Sequence, residues 1–152
     1  MDAIDFIQGL LERKPLPLSK ALGMELRELA PGKATFELDA GGLHHKPMGT
    51  VHGGVLSTLA DSAMGMALGT TLADGDSFTT LELKINFLRP VVRGPLTARG
   101  SVANRGKSVA MTICDVSDGA GRLIAHATAT NMILSGAQAE GRRPGDFITA
   151  AG

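Results

Sequence analysis

Residues 51–73 form the most apolar stretch of the chain, and Val55, Leu56, Leu59, Ala60, Ala63, Met64, Met66, Ala67 and Leu68 would point in every direction from a helix built on it. A helix without a polar face has to be enclosed by other elements. Before it, Leu22–Leu29 and Lys33–Asp39 flank Pro31-Gly32 and read as two antiparallel strands around a turn. After it, from Ser77, the period changes to two. Thr79, Leu81, Leu83, Ile85 and Phe87 share one face and Thr80, Glu82, Lys84, Asn86 and Leu88 the other, until Arg89-Pro90 ends the strand. Three more strand-like runs, roughly 95–104, 108–117 and 121–134, are separated by Asn104-Arg105-Gly106 and by the Asp-Gly-Ala-Gly of 118–121. One long buried helix followed by antiparallel strands predicts an α+β fold in which a curved sheet wraps the helix.

At 152 residues the chain has the length of one domain, spanning 1–152. Asp2 and Asp5 replace the basic start of a secretory signal, so the N-terminus reads as a short amphipathic helix over about 2–13. The Gly- and Ala-rich end, about 136–152, reads as a loosely held tail. Lys plus Arg and Asp plus Glu number 15 each, leaving no global field for nucleic acid or an anionic membrane. With no Trp or Tyr and five Phe, stacking platforms for single-stranded nucleic acid are largely missing. Polar residues and glycines interrupt 51–73 as a membrane span. The single Cys114, in an alternating run, excludes an intramolecular disulfide, reads as an inert core thiol and fits a cytoplasmic protein.

Asp61 is the only ionisable residue between His52 and Asp74. A carboxylate in an apolar setting finds a partner or shifts its pKa towards neutrality, the condition under which it becomes a base. Gly53 and Gly54 open the helix, where N–H groups lack intrahelical partners and the dipole is positive. A developing oxyanion fits there, although a glycine pair also serves simply as a tight turn. The loop 40–50 that delivers the chain to this point contains four glycines or prolines and the adjacent His44 and His45.

The segment His44–Asp61, followed by Thr79–Pro90 and Gly121–Thr130, resembles the hotdog-fold acyl-CoA thioesterases of the phenylacetate-degradation type, over roughly residues 20–134. The resemblance rests on Gly49-x-x-His52-Gly53-Gly54, on Asp61 eight residues after Gly53, and on Phe87-Leu88-Arg89-Pro90. It implies a homodimer, often doubled to a tetramer. It also implies that Asp61 activates water or attacks the thioester while the Gly53 N–H polarises the carbonyl. Eight helical residues separate these two by ~12 Å along the axis, too far to act on one carbonyl. The expected site is therefore shared, with Asp61 of one protomer facing the Gly53 amide of another across a two-fold axis.

Other residues carry less specific expectations. Family members have Asn or Gln where this chain has Lys46, whose ammonium is free to pair with Asp61, to meet the substrate carbonyl or to remain a loop charge. His44 matches the family's histidine two positions earlier, and His52 orders the turn rather than acting as the base. Thr80 matches a Ser or Thr that helps place the water, and is equally a β-propensity choice. Arg89, Arg105, Lys107 and Ser108 are candidates for holding the phosphates of coenzyme A, or are ordinary strand-end polar residues.

Ser57 and Ser62 lack a Gly-x-Ser-x-Gly context. His44, His45 and His52 lack the partners of a closed zinc site, so no metal and no cofactor beyond the coenzyme A of the substrate are expected. The expected activity is hydrolysis of a small aryl- or medium-chain acyl-CoA. The alternatives are a non-catalytic acyl-CoA binder in which Lys46 neutralises Asp61, and a 3-hydroxyacyl thioester dehydratase, for which no His-plus-acid motif stands at the helix.

Overall fold

The computed structural model describes residues 2–13, 16–143 and 146. Helices α1 (Ala3–Arg13) and α2 (Pro17–Leu22) lead into strands β1 (Met24–Ala30) and β2 (Lys33–Ala40). A 3-10 turn at Gly42–His44 precedes the long helix α3 (Gly53–Gly69). Strands β3 (Ser77–Phe87), β4 (Gly94–Arg105), β5 (Val109–Asp118) and β6 (Leu123–Leu134) follow, then a second 3-10 turn at Gly136–Ala139. All pairings are antiparallel and give one six-stranded sheet in the order β1-β2-β4-β5-β6-β3. This is the hotdog architecture, with α3 lying in the concave face of the sheet.

The sheet holds α3 closely because both surfaces are made of small residues. Leu59, Ala60, Ala63, Ala67 and Leu68 of the helix have no solvent exposure; Leu59, Ala60 and Ala63 share one core cluster with Leu96, Ala98, Cys114 and Val116 from β4 and β5, and Leu68 packs in a second with Ala110 and Ile133. Ala125, Ala127 and Ala129 line the same face of β6. Cys114 is buried there, and burial together with the Asp115 charge pushes its thiol up to about 12, which keeps it protonated and unreactive at neutral pH.

Three features depart from the sequence expectations. The stretch before β1 forms α2, with Pro17 in its first turn and Gly23 at φ 74 closing it, so β1 begins at Met24 rather than Leu22. The helix ends at Gly69 because the hydroxyls of Thr70 and Thr71 turn back to the carbonyls of Ala67 and Leu68. The alternation in β3 is broken: its register against β6 shifts between Thr80 and Glu82, leaving Leu81 in a bulge. Thr80 pairs with buried Asn131 and Leu83 with buried Ala129, so Thr80 and Leu83 both face the helix, although a strict period of two separates them.

The described part of the tail is anchored. Ala139 is fully buried, Ser77 Oγ donates to the Arg142 carbonyl, and Arg143 Nε donates to the Gly75 carbonyl. The expectation of looseness beyond it falls on 144–145 and 147–152, which lie outside the described residues. Among the described residues no helix is long and apolar enough to cross a membrane.

Candidate active site

The loop between β2 and α3 is built by its histidines. His44 is buried; its Nδ1 accepts from the Gly41 N–H at 3.1 Å and its Nε2 donates to the Leu22 carbonyl at 2.7 Å. With both ring nitrogens occupied, it is a staple rather than a base. His45 Nε2 donates to the Val92 carbonyl, and the His44 carbonyl accepts from the His52 N–H at 2.8 Å. These bonds fix the direction in which the chain enters α3.

His52 is the N-cap of α3, and its Nδ1 accepts from the Gly54 N–H at 2.8 Å. Its ring therefore satisfies one free donor of the first turn, as a capping side chain does. The Gly53 N–H, the first of the helix, has no acceptor among the described residues. A side chain at either glycine would displace a neighbouring ring. A Cβ at Gly53 would lie 2.9 Å from Phe87 Cζ, and one at Gly54 would lie 2.9 Å from His52 Nδ1. The helix start thus presents one open N–H at the positive end of the α3 dipole, where an oxyanion is favoured.

Asp61 lies two turns further along. Its carboxylate has no hydrogen-bond or ion-pair partner among the described residues. Asp61 reaches solvent in the single chain, yet the surrounding protein buries it enough to raise its pKa above 3.8, with desolvation the only cause. Ser57 and Thr58 are not nucleophiles in waiting, since their hydroxyls donate to the Gly53 and Gly54 carbonyls at 2.8 Å. Lys46 holds its loop through its backbone, to Thr50 and Gly49, and among the described residues its ammonium forms no ion pair with Asp61 or any other acid.

Strand β3 runs antiparallel beside α3, with Phe87 against Gly53 and Phe78 against Gly65. The bulge at Leu81, and Thr80 next to it, lie between these two contacts on β3, as Asp61 lies between them on α3. Thr80 Oγ1 donates to Asn131 Oδ1 and Asn131 Nδ2 donates to Thr112 Oγ1, both at 3.1 Å, in a polar chain across β3, β6 and β5. Asn131 and Thr112 were not legible as site residues, because each stands in an alternating strand where only the tertiary pairing shows which way it points.

The four phosphate candidates do not assemble within one chain. Arg89 follows β3 at the Gly53 end of the helix, with its N–H bonded to the Ile124 carbonyl. Arg105, Lys107 and Ser108 form the β4–β5 turn at the opposite end, where Arg105 Nε donates to Thr71 Oγ1 at 3.2 Å. Among the described residues no three His, Cys, Asp or Glu side chains converge as metal ligands.

The sequence profile of the thioesterase superfamily matches residues 48–125, just over half of the chain, including the His52-Gly53-Gly54 turn, Asp61 and β3. The chain belongs to the thioesterase superfamily. A substituted form of the phenylacetic acid degradation protein PaaI from Thermus thermophilus superposes on this thioesterase with a TM-score of 0.71 at 31% identity, covering 77% of this chain and 98% of that one. Human acyl-coenzyme A thioesterase 13 is 34% identical over 98 residues, 63% of this chain and 69% of its own length. The medium/long-chain acyl-CoA thioesterase YigI of Escherichia coli is 28% identical over 133 residues, covering 78% of this chain and 86% of the relative. The thioesterase is accordingly a thioester hydrolase with acyl-CoA thioesterases among its homologues.

Proposed function

We propose that this thioesterase hydrolyses a small aryl- or medium-chain acyl-CoA to the free acid and coenzyme A, at a site shared by two subunits. The observation that carries the proposal is that the two unpaired groups, the Gly53 N–H and the Asp61 carboxylate, stand on one continuous helix ~12 Å apart. Neither has a local task, and one thioester carbonyl cannot span them. In the proposed reaction the Gly53 N–H of one subunit donates to the thioester oxygen. Asp61 of the other subunit either takes a proton from the attacking water or adds directly to the carbonyl carbon, after which water cleaves the resulting anhydride. In either route the C–S bond breaks and the thiolate of coenzyme A leaves. The site invokes no metal or redox cofactor.

A two-fold axis that sets the two α3 helices antiparallel carries the partner's Arg105–Ser108 turn beyond the Gly53 end, on the side of Arg89. This accounts for cations at both ends of one chain as a single phosphate contact in the dimer, and pairing of two such dimers is the expected larger assembly. A cytoplasmic location is part of the proposal and rests on the lone unpaired thiol.

Thiol release from phenylacetyl-, hydroxybenzoyl- and C4 to C12 acyl-CoA, wild type against Asp61→Asn, tests the chemistry. General-base loss predicts a fall of about 10²–10⁴-fold. Turnover equal to buffer in both proteins, together with tight acyl-CoA binding, would instead identify a binding protein. Mixing Asp61→Asn subunits with Gly53→Val subunits should restore partial activity, and no recovery despite proven subunit exchange would sink the shared site.

A further inference from the structure

Helix α1 does not pack flat on the body of the thioesterase. It overhangs a half-open chamber of about 1250 Å³ whose floor is the C-terminal half of α3 and whose far wall is the start of β3. Phe6, Ile7 and Leu10 hang from the roof, and Met66 and Phe78 line the body side. The acidic groups of the lining, Asp2, Asp74 and Asp76, stand at the helix ends and loop, with Arg143 the single cation among the described residues. The volume exceeds the ~300–1,000 Å³ of pockets that take drug-sized ligands. A closed apolar core would not leave such a space unfilled.

The floor of the chamber lies on the same face of α3 as Asp61 and begins one turn beyond it. Gly65 and Gly69 line it, and they follow Asp61 at four and eight residues, the spacing that keeps all three on one helix face. Neither glycine is needed for a turn, since both have ordinary helical backbone inside α3, and space exists for a side chain. A Cβ at Gly69 would meet only Ile7 Cδ1, at 3.5 Å, and one at Gly65 only Phe78, at 3.4 Å or beyond. Helix-interior glycine costs up to about 1 kcal/mol relative to alanine. What the two glycines maintain is an open strip on the Asp61 face of α3, reaching from one turn past the carboxylate into the apolar chamber.

We propose that this chamber receives the acyl tail of the thioester, that the occupant is an unbranched aliphatic chain rather than a compact aryl group, and that α1 sets its length. The proposal rests on the assignment of Asp61 to the reacting end. A chain laid along Gly65 and Gly69 runs away from Asp61 under Ile7 and Leu10, and each buried methylene multiplies affinity about fourfold.

The test uses the full-length protein with Gly69→Leu, which fills the floor, and Ile7→Trp, which fills the roof on an element that contributes no fully buried residue. Each should lower the ratio of kcat/KM for dodecanoyl-CoA over butanoyl-CoA at least tenfold, the loss expected from about two displaced methylenes. Each should also weaken binding of the fluorescent fatty acid cis-parinaric acid, competed by dodecanoyl-CoA. An unchanged ratio in both variants, folded by circular dichroism, overturns the chamber while leaving the thioesterase intact. Failure of the wild type to bind parinaric acid overturns it without any variant. An altered oligomeric mass with an unchanged ratio would show the groove to be a protein contact and equally refute the proposal. Parinaric acid binding that the variants abolish, in a protein that hydrolyses no ester, would sustain the acyl chamber and remove the hydrolytic role of Asp61.

Discussion

Gly100→Ala is the substitution to which this fold should be most sensitive. Gly100 stands in mid-β4, paired with Ala34 on one side and Cys114 on the other. There α3 crosses so close that a Cβ would lie 2.4 Å from both the carbonyl carbon and oxygen of Ala63 and 2.7 Å from the Met64 nitrogen. Favourable contacts between heavy atoms begin near ~3.5 Å, so helix and strand would have to separate by about 1 Å. The obstruction is backbone on both sides, and no rotamer can yield. A radial gap of that size forfeits about a quarter to a half of each dispersion contact across the interface, and overpacking of cores costs about 1–3 kcal/mol. We expect the upper end, about 3 kcal/mol. In urea, with a slope of about 1–3 kcal/mol per molar, the midpoint should fall by roughly 1–3 M at unchanged slope. Asp61 is two residues before Ala63, so the displacement also reaches the carboxylate, and a misplacement of about 1 Å costs on the order of 10²-fold in rate. A loss of stability below about 1 kcal/mol would refute the close approach of β4 and α3.

Two further outcomes follow from the helix start and from Asp61. His52→Ala removes the acceptor of the Gly54 N–H and should cost about 1 kcal/mol of stability, with His52→Asn restoring most of it; equal melting temperatures for wild type and His52→Ala would dismiss the cap. For Asp61 the folded-state pKa lies above the unfolded value of 3.8, so its favourable contribution is complete below that value and is lost as pH rises through the folded pKa. Asp61→Asn should therefore be at least as stable as wild type near neutral pH. kcat/KM should decline in acid through a midpoint above 3.8, and a midpoint at or below that value would contradict the desolvation of the carboxyl.

Elements whose signal is local were legible in the sequence. The all-round apolar character of 53–73 gave α3, and its single carboxylate stood out because nothing else there ionises. The features that escaped depend on register. A strict period of two put Thr80 opposite Leu83, and only the pairing of Thr80 with Asn131 and of Leu83 with Ala129 reveals the bulge that brings both to the helix side. The grouping of Arg89 with Arg105 and Lys107 failed within one chain for a similar reason. Their separation is set by the antiparallel ladder, which carries the β4–β5 turn to the far end of α3. Helix α2 was missed because its six residues are too few to show a helical period, and Pro17, which would interrupt a helix interior, here begins one.

The sheet has two free edges, and they are unlike. Strand β1 is interrupted by a bulge between Leu26 and Glu28, and Arg27 there pairs with Glu25 and Glu37 at 2.6 and 2.8 Å. Charges and a bulge are the ordinary means of blunting an edge. Strand β3 is longer, and beside Glu82 and Lys84 it exposes Leu81, Phe87 and the following Leu88 at 58%, 53% and 53%. An edge of that kind is a template for another strand. The shared-site proposal therefore selects an edge. Joining two subunits through β1 would leave each α3 beside its own β3, with Gly53 and Asp61 both facing solvent. Joining through β3, which runs along α3 from Phe78 at Gly65 to Phe87 at Gly53, sets a second helix alongside the first in the opposite direction. Only that arrangement would bring an open N–H to the level of a carboxylate that its own chain leaves without a partner.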